Sequence, residues 1–194
     1  SSERDLHLAG TADEGLNWTV LDLTASFRQF TVDQVAAANG TVLAPHGGTN
    51  GTYVWPWVSA GSEGRVSVSW IGSYDTKPSE QYDGAWYIFS AFVLDAKSAQ
   101  PKVAVTQVTQ NPMHVGPICQ QGTLCQVASM QGDPAGDRRL GDFFETTIDP
   151  KTGDLLLTFS DTATRPNDVV GHPTFARQTG GLRLVSDADL GTGL

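Results

Sequence analysis

Residues 11–18 read Thr11-Ala12-Asp13-Glu14-Gly15-Leu16-Asn17-Trp18. A hydroxyl, a carboxylate, a glycine and an aromatic at this spacing have a physical reading as one turn. The Asp13 side chain can accept backbone N–H groups inside the turn, Gly15 can take a positive φ, and Trp18 offers a large ring to pack between sheets. Leu6 and Leu8 before the turn, and Trp18 and Val20 after it, alternate with polar residues. The alternation predicts two strands joined at this point.

The same grammar runs through the chain. Of 194 residues, 21 are Gly and 10 are Pro. Most of them punctuate short runs rich in Val, Thr, Trp, Tyr and Phe, which predicts an all-β protein. Charged residues are 17%, below the usual ~25%. Twelve basic against 21 acidic residues leave a net charge of −9, the opposite of a nucleic-acid binder's basic footprint. Five Trp and eight Phe exclude a disordered acidic tail. No apolar run approaches the ~18 residues of a membrane span. Residues 1–5 are polar and lack a signal peptide's apolar stretch. The expectation is a leader already removed, or a chain that begins inside a longer protein.

Outward from the opening turn, residues 53–58 predict a strand, 60–64 a turn, and 65–71 a period-2 strand with Val66, Val68 and Trp70 on one face. Residues 85–94 (AWYIFSAFVL) are nearly all apolar, as in a strand buried on both faces. Residues 103–108 make a fourth strand. Further strands are expected at 143–148, 154–160 and 172–177, with a turn at 149–153. Residues 27–38 fit a short helix and 46–51 a loop. Residues 182–194 predict one short strand and a Gly-rich tail.

Gly64 and Gly153 align two strand–turn–strand units 89 residues apart. Trp57–Ala60 then falls on Thr146–Asp149, and Val66–Trp70 on Leu155–Phe159. A repeated unit of four short antiparallel strands reads as a β-propeller blade. A β-sandwich alternates strands and turns in the same way.

Residues 109–139 interrupt the rhythm with Asn111-Pro112, Gly116-Pro117, Asp133-Pro134 and both cysteines. Long loops in compact domains are more often functional than not. Cys119 and Cys125 have five residues between them. A disulfide there would stabilise by about 2–2.5 kcal/mol on the loop-entropy model. The alternatives are a metal site with His114 as a third ligand, though the paired C-x-x-C spacing is missing, or two free thiols. Three N-x-[ST] sequons begin at Asn17, Asn39 and Asn50. Cysteines and sequons together favour a secreted or cell-surface protein.

The opening turn matches the Asp-box, S/T-x-D-x-G-x-x-W/F, at Thr11, Asp13, Gly15 and Trp18. In that respect the chain resembles sialidases and related propellers built from bacterial neuraminidase repeats. Residues 53–159 resemble secreted sialidase-like proteins through Trp55-Pro56-Trp57-Val58-Ser59-Ala60-Gly61, Gly64-Arg65-Val66, Asn111-Pro112-Met113-His114, Gly116-Pro117-Ile118-Cys119, Gly122-Thr123-Leu124-Cys125 and Arg139-Leu140-Gly141-Asp142-Phe143-Phe144. The resemblance implies a single propeller segment. Residues 4–24 would end one blade and carry the Asp-box. Residues 52–108 would form a full blade, 109–139 a disulfide-stapled insertion, 140–181 the next blade and 182–194 a tail.

That is about two and a half blades, and a closed ring needs at least four. The rest of the propeller, or a second chain, is therefore an implied partner. The family's channel face binds or hydrolyses glycans, with an arginine triad, a Tyr–Glu pair and an acidic Asp. By position, Arg139, Asp142 and Tyr53 are the catalytic candidates, and Trp55 and His114 the substrate-binding ones. The other arginines lack the family's surroundings, and no Tyr–Glu pair can be assigned. Ahead of catalysis, Arg139 and Asp142 describe a local salt bridge holding the loop to the first strand. The alternative function is a non-catalytic extracellular propeller for cell-surface assembly or protein–protein adhesion. No cofactor is expected. Asp133, Asp137, Asp142 and Glu145 offer calcium hard oxygen donors, but their spacing matches no calcium loop.

Overall fold

A computed structural model describes residues 6–11, 13, 15–23, 51–98, 101–125, 136–140, 144–168, 170–181 and 183–190. The structure is all-β, with every sheet antiparallel. The expected helix over 27–38, the sequons at Asn39 and Asn50, and all but Gly51 of the 46–51 loop lie outside the described residues.

The opening turn joins β1 (His7–Gly10) to β2 (Thr19–Asp22) as a hairpin. Inside it, Thr11 Oγ1 donates to Asp13 Oδ1 (2.8 Å) and accepts from the Gly15 N–H (2.9 Å). The Asn17 N–H donates to Asp13 Oδ1 (2.8 Å). Gly15 has φ +94. These bonds, those from Asn17 above all, hold the Asp13 carboxyl below the usual carboxylate range. Trp18 departs from expectation. It is 62% exposed, and its Nε1–H donates to the Gly15 carbonyl (3.1 Å). The ring folds over its own turn and does not pack between sheets.

The central sheet is a meander of β3 (Tyr53–Ala60), β4 (Val66–Gly72), β5 (Ala85–Leu94) and β6 (Lys102–Gln107). A two-residue strand, β7 (His114–Val115), extends it by pairing with the start of β5. The third sheet holds β8 (Glu145–Ile148), β9 (Leu155–Asp161) and β10 (His172–Arg177) in the order β10-β9-β8.

Period-2 alternation builds a core on each face of the central sheet. On one face Val68, Trp70, Phe89, Ala91 and Val93 bury against Leu6 and Leu23 beside the hairpin. Trp70 and Phe89 stack with centroids 5.9 Å apart. On the other face Ile71, Trp86, Ile88 and Phe92 pack with Leu155, Leu157 and Phe159 of β9. Both faces of 85–94 are thus covered, as its apolar run requires. Ser59 and Thr146 link β3 to β8 by a hydroxyl–hydroxyl bond of 2.6 Å.

The internal alignment needs one correction. Gly64 and Gly153 do take the same conformation, φ +73 and +72. Yet five residues, 61–65, separate the paired Ala60 and Val66, while six, 149–154, separate the paired Ile148 and Leu155. Ala60 therefore corresponds to Ile148, not Asp149: the second turn is one residue longer.

Residues 183–190 form no strand. They make a strap across both turns. The Ser62 N–H donates to the Leu184 carbonyl (2.9 Å), the Leu184 N–H to the Gly153 carbonyl (3.1 Å), and the Ser186 N–H to Ser62 Oγ (2.8 Å). Leu184 and Val185 are buried. Gly61 is required beneath them: a Cβ there would lie 2.0 Å from the Leu184 carbonyl oxygen.

Candidate functional site

A groove of about 400 Å³ opens between the start of β3 and the disulfide loop, lined by Trp55, Cys119, Gln120, Thr123, Cys125 and Arg138. Trp55 reaches it through a backbone irregularity. The β3–β4 register shifts between Val54 and Trp57, and Trp55 takes φ +50. A bulky residue held in the left-handed region costs about 1–3 kcal/mol, and such strain gathers at functional sites. The bulge aims the indole at the groove, while part of the ring packs against the second core.

The opposite wall is covalently fixed. Cys119 and Cys125 form a disulfide with Cα atoms 6.0 Å apart, so neither thiol is open to a metal. A single 3-10 turn, Gly122–Leu124, spans the loop between them. The loop is tied to the body by the Ile118 N–H on the Ser79 carbonyl (2.9 Å), the Cys119 N–H on the Asp137 carbonyl (3.0 Å), and Gln120 Nε2 on Ser79 Oγ (2.5 Å). Arg138 leans along it and donates to the Cys125 carbonyl (3.4 Å).

Arg139 points the other way. In extended chain, neighbours face opposite sides. Arg138 therefore lines the groove, while Asp137 and Arg139 turn inward together. Arg139 Nε donates to both Asp137 oxygens (3.0 Å each), Nη2 donates to Oδ2 (2.5 Å), and Nη1 donates to the Asp168 carbonyl. Asp137 is fully buried and Arg139 is 8% exposed. The bidentate fork is one that carboxylate recognition favours, and it is occupied by the chain's own Asp137.

His114 completes this buried cluster. It is fully buried. Its Nε2 lies 3.3 Å from the Pro117 carbonyl, which can only accept, so Nε2 carries the proton. Nδ1 then accepts from Thr162 Oγ1 (2.7 Å). Burial, which disfavours the imidazolium, holds His114 below the ordinary histidine range against the opposite pull of Asp137.

The sequence-derived candidates therefore separate. Trp55 lines the groove. Arg139 and His114 are buried and do not line it. Tyr53 faces the first core, edge-on to Trp70 (6.2 Å), and its hydroxyl accepts from the Gly51 N–H (3.1 Å). Asp142 and Asp133 lie outside the described residues. Glu145 is exposed on β8, and Asp137 is committed to Arg139. Among the described residues, no group of three or more His, Cys, Asp or Glu is placed to hold a metal ion. Sequence reasoning missed Arg138 and Gln120. Alternation from Asp137 through Arg139 was the signal that could have found Arg138. Asn17 is exposed in its turn, with Nδ2 donating to Asp13 (2.5 Å).

Neither a family model, nor a curated protein, nor a solved structure matches this chain.

Proposed function

We propose that this chain is part of a secreted, sialidase-like β-propeller that binds glycans at the groove between Trp55 and the disulfide loop. The observation that carries this reading is the strained Trp55. An aromatic held at a cost, facing a covalently braced wall with Arg138, Thr123 and Gln120 beside it, presents an apolar platform next to polar groups. That is the usual make-up of a small-ligand site. The ring-segment part rests on the repeated strand–turn–strand units and on the two outer sheets. Both carry apolar side chains facing outward, Val20 at one end and Phe175 at the other, as segments of a continuing stack would.

The test is titration of mono- and oligosaccharides followed by tryptophan fluorescence. Saturable binding is expected, and Trp55→Ala should weaken it about 30-fold, the ~2 kcal/mol of an anchor residue. Binding unchanged in that variant would overturn the reading. The second reading, a non-catalytic propeller for surface assembly, is favoured by the Asp137–Arg139 pair, which spends the candidate arginine internally. A panel of aryl sialosides and other aryl glycosides separates the enzymatic version of the first reading: turnover supports hydrolysis, and none leaves recognition alone.

A further inference from the structure

His114 ties together the pieces of the groove's covalently braced wall. Its backbone is fixed to the central sheet, because β7 pairs with the start of β5 and the Met113 N–H donates to the Trp86 carbonyl (2.9 Å). Its ring meets Pro117, Asp137 and Thr162. The Pro117 carbonyl accepts from His114 Nε2 (3.3 Å) and from the Asp137 N–H (2.8 Å). The Asp137 carbonyl in turn accepts from the Cys119 N–H (3.0 Å). These two crossing stretches bring Cys119 and Arg138 to the groove. The wall is thus docked over a fully buried imidazole.

The docked ring has no place for a second proton. Nδ1 is the acceptor of Thr162 Oγ1 (2.7 Å), so protonation there would force that hydroxyl to reverse and would strand its hydrogen. It would also set an imidazolium beside the Arg139 guanidinium. Asp137 is the opposing charge, with Oδ2 3.8 Å from Nδ1, but its carboxylate already serves the Arg139 fork and the Arg139 N–H. Trp86 on β5 and Thr162 beyond the end of β9 bring no charge. Farther out, His172 and Asp168 pair with each other (2.8 Å), and Asp168 meets the cluster through its carbonyl on Arg139 Nη1. Burial outweighs the pull of Asp137, so the docked wall keeps His114 neutral in mild acid, where a solvated imidazole takes its proton.

We propose that the groove is a proton-gated site: in mildly acidic solution His114 gains a proton by undocking the wall segments that carry Cys119 and Arg138, and the groove releases its saccharide. The inference rests on the glycan reading of the groove and adds its regulation. Trp55 stays on β3 while the wall facing it leaves. The coupling is reciprocal. A saccharide held between Trp55 and the wall keeps the proton off His114, and a proton on His114 expels the saccharide.

Amide exchange in the intact protein tests this. Exchange of a freed amide falls in proportion to hydroxide concentration. An amide freed by an opening that takes up one proton regains, below about pH 6.5, what hydroxide loses. The Cys119 and Asp137 amides should therefore exchange at a level rate between pH 6 and 5. The Gly61 amide, bonded to Arg65 in the β3–β4 turn, should slow about tenfold over the same unit. Low urea should leave the two wall amides unmoved, since a local opening exposes little surface. His114→Gln, neutral at either pH, should make them slow as Gly61 does, whereas His172→Gln should keep the level rate. Saccharide at ten times its Kd should slow them about tenfold in the wild-type protein.

Wall amides that slow with falling pH in the wild-type protein would overturn the proposal. So would rates that climb with urea as global unfolding does, or a level rate that survives His114→Gln or is lost in His172→Gln. If His114→Gln does not fold, the wild-type protein and His172→Gln still decide. A saccharide that binds without slowing the wall amides overturns the gate. No saccharide bound at pH 8 or pH 5 sinks the glycan reading instead, and the undocking then stands or falls on exchange in the free protein.

Discussion

Arg138 and Arg139 are adjacent, yet the fold gives them opposite environments, and their substitutions should differ accordingly. Arg139→Ala leaves Asp137 charged, buried and unpaired, and should cost about 3–5 kcal/mol. Arg138→Ala removes one long bond at the surface and should stay within about 0.5 kcal/mol. Urea unfolding of both variants checks the contrast; equal effects would contradict the burial of Asp137. His114 makes a pH prediction. Its folded-state pKa is lowered by burial, so the unfolded chain takes up a proton near pH 6.5 while the folded chain resists. Stability is then fully present above about pH 6.5 and falls as the pH drops below it. Melting temperatures between pH 8 and 5 should show that decline, and His114→Gln should flatten it. The sequence could flag Arg139 and His114 as chemically able residues. It could not say that they point inward, because that depends on which face of a short extended segment meets the core.

At the scale of elements, the long strands were legible; the joints, the two-residue β7 and the strand expected within 182–194 were not. Residues 85–94 and 172–177 match β5 and β10 residue for residue, because a period of two and an apolar run leave little choice. The two β-turns looked interchangeable because their glycines align. The extra residue in the second lies where no periodicity constrains length. Trp55 was a legible groove residue by type, but its positive φ was not, since Trp-Pro carries no sign of a left-handed residue. Gly61→Ala should cost about 1–3 kcal/mol, the range of overpacking, because the Leu184 carbonyl leaves no room for a Cβ. Equilibrium unfolding measures it. Reduction of Cys119–Cys125 should remove about 2–2.5 kcal/mol and, by releasing one wall of the groove, weaken saccharide binding as well. Retained affinity after reduction would place the site elsewhere.

On the scale of the whole molecule, three sheets among the described residues hold two cores with the central sheet between them. That arrangement explains the low charged fraction: a sheet covered on both faces leaves charge only at turns and edges. The acidic excess accordingly falls on turn residues such as Asp13, Asp149, Asp187 and Asp189. Phe175→Thr should leave the melting temperature within about 2 °C, since a surface change of ~0.5 kcal/mol or less moves it little, while raising solubility if the exposed ring drives association.

The strap over residues 183–190 also bears on kinetics. It bonds to a turn 124 residues earlier in the chain and to Gly153, so its contacts need both turns in place and are expected among the late events of folding. Interactions that form after the transition state govern escape from the native state more than arrival at it. Leu184→Ala should therefore speed unfolding in a stopped-flow chevron and leave the refolding limb nearly unmoved, making this short segment the latch that sets how long the folded chain survives.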